Sequence, residues 1–240
     1  LEQIPDLDAV VVPVGGGGLI SGVAFTIKSL NPKCKVYGVQ SCGAPSMANS
    51  LRDGHCETLE SVSTIADGIA VKQPGDLTYD LCEKYVDEVV TVTDDEVSTA
   101  ILTLMEQHKM IAEGAGAVSV AAVMFNKIDV KGKKVACLVS GGNIDVNILS
   151  RVISRGLLKA GRSVELSIEL QDKPGQLREV SSIIADQGAN VVAVHYDLGG
   201  EETEITACVL NISMETRNHA HIAQIRDALT AAGFKVSEKH

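Results

Sequence analysis

Tryptophan is absent from this 240-residue chain, which has only three phenylalanines and four tyrosines. An interior so poor in rings must be packed from Val, Ile, Leu and Ala, and the 45% hydrophobic content allows that. Positive charge is also short. Against 31 Asp and Glu stand 21 Lys and Arg, for a formal net charge of −10. Nucleic acid and anionic membrane surfaces both want a basic stripe, so neither is expected as a partner. No apolar stretch approaches the roughly 18 residues of a membrane span, and no basic segment leads into an apolar run at the start. The six cysteines contain no C-x-x-C pair, which argues against metal ribbons and disulfide frameworks. Cys137 and Cys208 lie in apolar runs and read as reduced core residues, as in a cytoplasmic protein. His219 and His221, two apart, lack the spacing of a helical metal pair and read as solvated surface.

The most informative feature is the run Gly15-Gly16-Gly17-Gly18, set between Ala9–Val14 and the helix-like Leu19–Phe25. Strand, side-chain-free turn and helix start together make a phosphate cradle, because backbone N–H groups point outward unpaired and the helix dipole favours negative charge. Two other phosphate loops are excluded by spacing. Ile20 falls where a G-x-G-x-x-G loop needs its third glycine, and no Lys-Ser/Thr pair follows as in a P-loop. The phosphate is therefore expected to belong to a cofactor other than a dinucleotide or nucleoside triphosphate.

Two rhythms divide the chain. Up to about residue 160, short β-rich runs alternate with amphipathic ones. Strands are expected at Val10–Val14, Lys35–Gln40, Val86–Val92 and Lys134–Val139, and helices at Leu19–Leu30, Thr93–His108, Gly114–Phe125 and Asn143–Leu158. Thr93-Asp94-Asp95-Glu96 is a capping box. Such alternation predicts an α/β fold with a mostly parallel sheet, ligands sitting at the carboxyl ends of its strands. From Val164 the period becomes two, and the order β-α-β-β-α-β predicts a ferredoxin-like unit with a turn at Gly199-Gly200.

The segment Val12–Gly22 resembles the tetraglycine loop of serine/threonine dehydratases and serine racemases, pyridoxal-phosphate enzymes of the tryptophan synthase β-like fold (fold type II). Thr64–Val71, Ile111–Ala117 and Leu138–Asn143 agree in order and spacing. Residues 163–240 resemble an ACT domain, a regulatory amino-acid-binding module. The resemblance implies domains at 1–160 and 163–240, and the type resembled is threonine ammonia-lyase with one C-terminal ACT domain. It implies that Gly15, Gly16, Gly17, Gly18 and Leu19 hold the cofactor phosphate and that Ser140 bonds the pyridine nitrogen. Gly68 and Glu113 would line the ring. In the ACT segment, Pro174, Gly175, Gln176, Leu177 and Asn190 would contact an amino-acid effector such as isoleucine or valine. L-Threonine or L-serine would be the substrate, and a homodimer or homotetramer the assembly.

Two departures matter. Serine racemases carry two acidic ligands to a divalent cation where this chain has Gln40 and Ser46, so no metal is expected. In the family the Schiff-base lysine lies far N-terminal to the glycine loop, and Lys28 and Lys72 read as surface residues. The chain, which opens on Leu1, is therefore expected to be a fragment lacking that lysine and catalytically silent alone. The alternatives are a serine dehydratase or serine racemase, or a non-catalytic amino-acid-binding regulatory fragment.

Overall fold

A computed structural model describes residues 1–197 and 207–239, so the expected turn at Gly199-Gly200 lies outside the described residues. The chain divides into two compact units, Leu1–Ile153 and Ser154–His240.

In the first unit, β1 (Ala9–Pro13), β2 (Lys35–Ser41), β3 (Glu88–Val92) and β4 (Val135–Cys137) form a parallel sheet in the order β3-β2-β1-β4. All five residues of β1 are buried, as an unbroken apolar run in a sheet covered on both faces requires. Around the sheet lie α1 (Gly18–Leu30), α2 (Ser46–Asp53), α3 (Asp76–Tyr85), α4 (Asp94–His108) and α5 (Gly114–Met124). Thr93 and Glu96 complete the expected capping box at the start of α4. Helix α5 is Ala/Gly-rich and eight of its residues are buried, so small side chains let it approach its neighbours on every side.

Three expectations shift. The strand expected from Val86 begins at Glu88, because Val86 ends α3 and its N–H donates to Cys82 O at 2.9 Å. Strand β4, at the sheet's edge, keeps only Val135–Cys137. Helices α2 and α3 were not legible; α2 is only eight residues and begins on Pro45 without a side-chain cap. Helix α6 (Val146–Lys159) closes this unit and runs into the next.

The second unit is β5 (Ser163–Gln171), α7 (Gln176–Asp186), β6 (Asn190–Asp197), β7 (Ala207–Glu215), α8 (His219–Ala231) and β8 (Lys235–Glu238). Its antiparallel sheet runs β6-β7-β5-β8, the expected ferredoxin-like order. Val164, Leu166, Ile168 and Leu170 alternate into a core shared with Leu210, Ile212, Ile184 and Ile225. His221 departs from the solvated surface expected of it: it is 2% exposed. Its Nδ1 accepts from Arg217 N–H at 3.1 Å, which leaves Nε2–H to donate to Gln187 O at 2.8 Å, tying the start of α8 to the end of α7.

Candidate cofactor site

Strand β1 feeds rightward and leftward neighbours: β2 pairs on one side and β4 on the other. Chain connectivity reverses between β1 and β4, so their carboxyl ends open a crevice at a topological switch point. Gly15–Gly18 leaves β1 there, and Ser140-Gly141-Gly142 leaves β4 there. Pairing continues to the mouth of the crevice, where Leu138 N–H donates to Val11 O at 2.9 Å.

At the first wall, Gly17 caps α1 with φ 96°; the helix has no side-chain cap and no acidic residue in its first turn. Helix-start amides without a capping partner are a ready anion site. Leu19 is exposed and Ile20 is fully buried, so Leu19 can offer only its backbone while Ile20 anchors the helix. The loop is fastened from behind. Gly16 O accepts from Gly75 N–H at 3.2 Å and lies 2.5 Å from Thr78 Oγ1, which is also 2.8 Å from Gly75 O. A Cβ on Gly17 would lie 2.7 Å from Met47 Cε and 2.8 Å from Thr78 Cβ. Thr78 and Gly75 were missed by sequence reasoning. The start of α3 had no visible signal linking it to a loop 62 residues earlier.

The second wall joins three segments distant in sequence. Glu113 is the N-cap of α5, yet its side chain caps nothing. Its N–H donates to Gly141 O at 3.1 Å, and a Cβ on Gly141 would overlap its carboxylate. A Cβ on Gly68 would lie 3.6 Å from Glu113 Oε1, and one on Gly114 only 2.5 Å from Ile65 O. The buried Ser119 hydroxyl donates to Leu138 O at 2.6 Å, holding β4 just ahead of the exposed Ser140. Asp94 accepts from Thr64 Oγ1 at 2.6 Å and from Ile65 N–H at 3.1 Å, fixing the irregular segment that leads to Gly68. Gly68, Glu113 and Ser140-Gly141 are thus brought together. The glycine loop reaches them through Ile69, whose Cα lies 3.2 Å from where a Gly15 Cβ would be.

In the second unit, Pro174 and Gly175 form a turn, with Gly175 at φ 98° capping α7, and Gln176 and Leu177 open that helix. Tyr196 Oη donates at 3.1 Å to Oδ1 of Asp172, two residues before that turn, and lies 2.8 Å from Cys208 Sγ. Its hydroxyl is pushed well above the ordinary tyrosine value by the Cys208 contact first, then by burial and by Asp172. Asn190 is elsewhere. It pairs across β6 and β7 with Glu215, which pairs with Ser163 at the opposite end of β5 from the turn. Its Nδ2 donates to Glu215 Oε2 at 3.0 Å. At 3.3 Å per residue, the length of β6 separates it from Tyr196 by about 20 Å.

Residues 1–141 match the family model described as "Pyridoxal-phosphate dependent enzyme", and residues 159–232 match that of the ACT domain. The chain belongs to the pyridoxal-phosphate-dependent enzymes. It is 52% identical over 236 residues to L-threonine ammonia-lyase of Thermotoga maritima, covering 98% of this chain and 59% of that one. The L-threonine ammonia-lyase of Geobacter sulfurreducens is 40% identical over 237 residues, with the same coverages of 98% and 59%. The chain thus spans about three-fifths of the length of these relatives. Among solved structures, the processed form of threonine deaminase isoform 2 from Solanum lycopersicum is similar with a TM-score of 0.60 and 39% identity. The likeness covers 64% of this chain and 45% of that one. Maize serine racemase gives a TM-score of 0.59 at 36% identity, over 65% of this chain and 50% of that one.

For a pyridoxal-phosphate-dependent enzyme, the residues present fit the phosphate end of the cofactor: an uncapped helix start, no acid in its first turn, and a glycine loop braced from behind. Lys28 and Lys72, the two lysines singled out in the sequence, are both engaged elsewhere. Lys28 donates to Asp87 Oδ2 at 2.5 Å and to Cys34 O at 2.9 Å, in the last turn of α1. Burial would raise the Asp87 carboxyl, but hydrogen bonds from Lys28 and Lys35 outweigh it and hold the group below its ordinary value. Lys72 is exposed and donates to Glu60 O at 3.0 Å.

Proposed function

We propose that the two units are the phosphate-holding part and the regulatory part of a pyridoxal-phosphate-dependent L-threonine ammonia-lyase. That enzyme converts L-threonine to 2-oxobutanoate and ammonia. The observation that carries the reading is the convergence of the glycine loop, Gly68, Glu113 and Ser140 around one crevice. The resemblance to threonine ammonia-lyases over 98% of the chain supports it. When bound, the cofactor supplies an electron sink that eases removal of a proton from the substrate α-carbon.

In this reading the chain's own residues bind and orient. The amides of Gly15, Gly16, Gly17, Gly18 and Leu19 hold the phosphate, and Thr78 keeps the loop in shape. Ser140 presents a neutral hydroxyl to the ring nitrogen; unlike a carboxylate it cannot hold a full positive charge there. Gly68 leaves room beside the ring, and the Glu113 N–H fixes Gly141, the residue after Ser140. The lysine that bonds the cofactor is proposed to come from a segment preceding the glycine loop in the longer protein. Division into a catalytic part at 1–160 and an ACT part at 163–240, a cytoplasmic setting, and a dimer or tetramer belong to the same reading. Asn190 and the Pro174–Leu177 segment lie too far apart to grip one amino acid within a single unit. An isoleucine or valine effector held by both therefore needs two copies of the ACT unit.

Titration of the purified chain tests the binding half, followed by the cofactor's visible circular dichroism. Pyridoxal 5′-phosphate is expected to bind and inorganic phosphate to compete with it, while pyridoxal without phosphate binds far more weakly. Equal binding of both pyridoxal forms would refute the phosphate assignment. Threonine and serine turnover by the protein with its upstream segment, read as 2-oxo acid or D-serine, separates the lyase from a serine dehydratase or racemase.

A further inference from the structure

Among the described residues, two buried side-chain polar atoms have no hydrogen-bond partner: Gln40 Nε2 and Ser46 Oγ. Both residues are 0% exposed, and so is Ala44 between them. Gln40 lies near the carboxyl end of β2, and Ser46 is the first residue of α2. Gln40 Oε1 accepts from Ala48 N–H at 2.9 Å, capping a helix whose own N-cap, Pro45, offers no side chain.

That bond decides which way the amide faces. An N–H needs an acceptor, so the carbonyl oxygen is committed to Ala48 and the NH2 group is the orphan. The orphan therefore presents positive partial charge to its surroundings. A hard dication wants carboxylate or carbonyl oxygens, and here the two positions where serine racemases carry acidic ligands offer a donor and a neutral hydroxyl. A divalent cation does not fit. A buried polar orphan is instead relieved by a water molecule with two or more protein partners.

We propose that the β2–α2 junction has a built-in substitute for a divalent cation. The Gln40 amide, clamped by Ala48, donates to one internal water that also pairs with Ser46 Oγ. Gln40 and Ser46 are then the residues that make the first unit independent of magnesium and calcium. The inference concerns binding and stability, and does not rest on the threonine reading.

Thermal unfolding of the EDTA-treated protein, titrated separately with MgCl2 and CaCl2, tests it. The unaltered chain is expected to show no saturable rise in Tm. The Gln40→Glu/Ser46→Asp variant is expected to be less stable without metal and to gain a saturable rise with one of the cations, since a ligand bound only by the folded state raises Tm. A saturable rise in the unaltered protein that Gln40→Ala abolishes would overturn the proposal. So would a folded double variant indifferent to both cations. If the double variant does not fold, Gln40→Glu alone serves, since its carboxylate still accepts from Ala48 N–H. In a crystal structure, one water within hydrogen-bonding distance of both orphan atoms is expected, and direct packing of protein atoms against both would refute it.

Discussion

Replacing Gly17 with alanine perturbs the proposed phosphate loop at its tightest point. Gly17 has φ 96°, and an added Cβ would lie 2.7 Å from Met47 Cε and 2.8 Å from Thr78 Cβ and Oγ1. A side chain in the left-handed region costs about 1–2 kcal/mol. Forcing a methyl into a filled space costs about 1–3 kcal/mol more, and the less flexible unfolded chain returns about 0.4–1 kcal/mol. The net expectation for Gly17→Ala is a loss of about 2–4 kcal/mol in urea unfolding. Thr78 would be pushed from Gly16 O, disordering the amides that hold phosphate. An affinity loss of at least about tenfold for pyridoxal phosphate, about 1.4 kcal/mol, is expected by titration. Gly22→Ala is the control. Nothing lies within 4 Å of its added Cβ in the same helix, so it should gain up to about 1 kcal/mol. An unchanged urea midpoint and affinity in Gly17→Ala would refute both the strain argument and the phosphate assignment.

Thr78→Val removes the brace on Gly16 and should cost about 1 kcal/mol in stability, with a several-fold weaker cofactor titration. Glu96→Gln tests a pH dependence. Burial raises that carboxyl, but hydrogen bonds from Lys127 and the Thr93 backbone outweigh it, so its folded value lies below the ordinary 4.5. Its contribution is therefore complete above that value and fades as pH falls through the folded one. The stability gap between variant and parent should be widest near neutrality and close in acid. His221→Ala leaves the Gln187 carbonyl and Arg217 N–H without partners and should destabilise the second unit by about 2 kcal/mol. Thiol labelling at pH 8 should mark exposed Cys42 first. Cys82 and Cys137, both pushed up to about 11 by burial, should label slowly. Tyr196→Phe releases Asp172 and should weaken any isoleucine or valine response several-fold while leaving the unfolding midpoint nearly unchanged.

What sequence alone determined was a set of elements with strong local periodicity or turn chemistry. The apolar run before Gly15 had to be a two-sided strand, Thr93 and Glu96 had to start a helix, and Val164–Leu170 had to be half buried. These signals act within a few residues, so they survive without knowledge of the rest of the chain. Gly199-Gly200 is the exception, lying outside the described residues. Tertiary structure decided what long-range contacts decide. It placed β4 beside β1, and so turned two separate glycine-rich loops into one crevice. It put Thr78 behind a loop 62 residues away and Glu113 against Gly141. It buried His221, whose place in the sequence gave no hint of its two backbone partners. It also separated Asn190 from the turn at Gly175, because equivalent ends of parallel-running β5 and β6 lie together while the loop leaves from the other end. Motifs name side chains; packing of non-local backbone sets which of them meet.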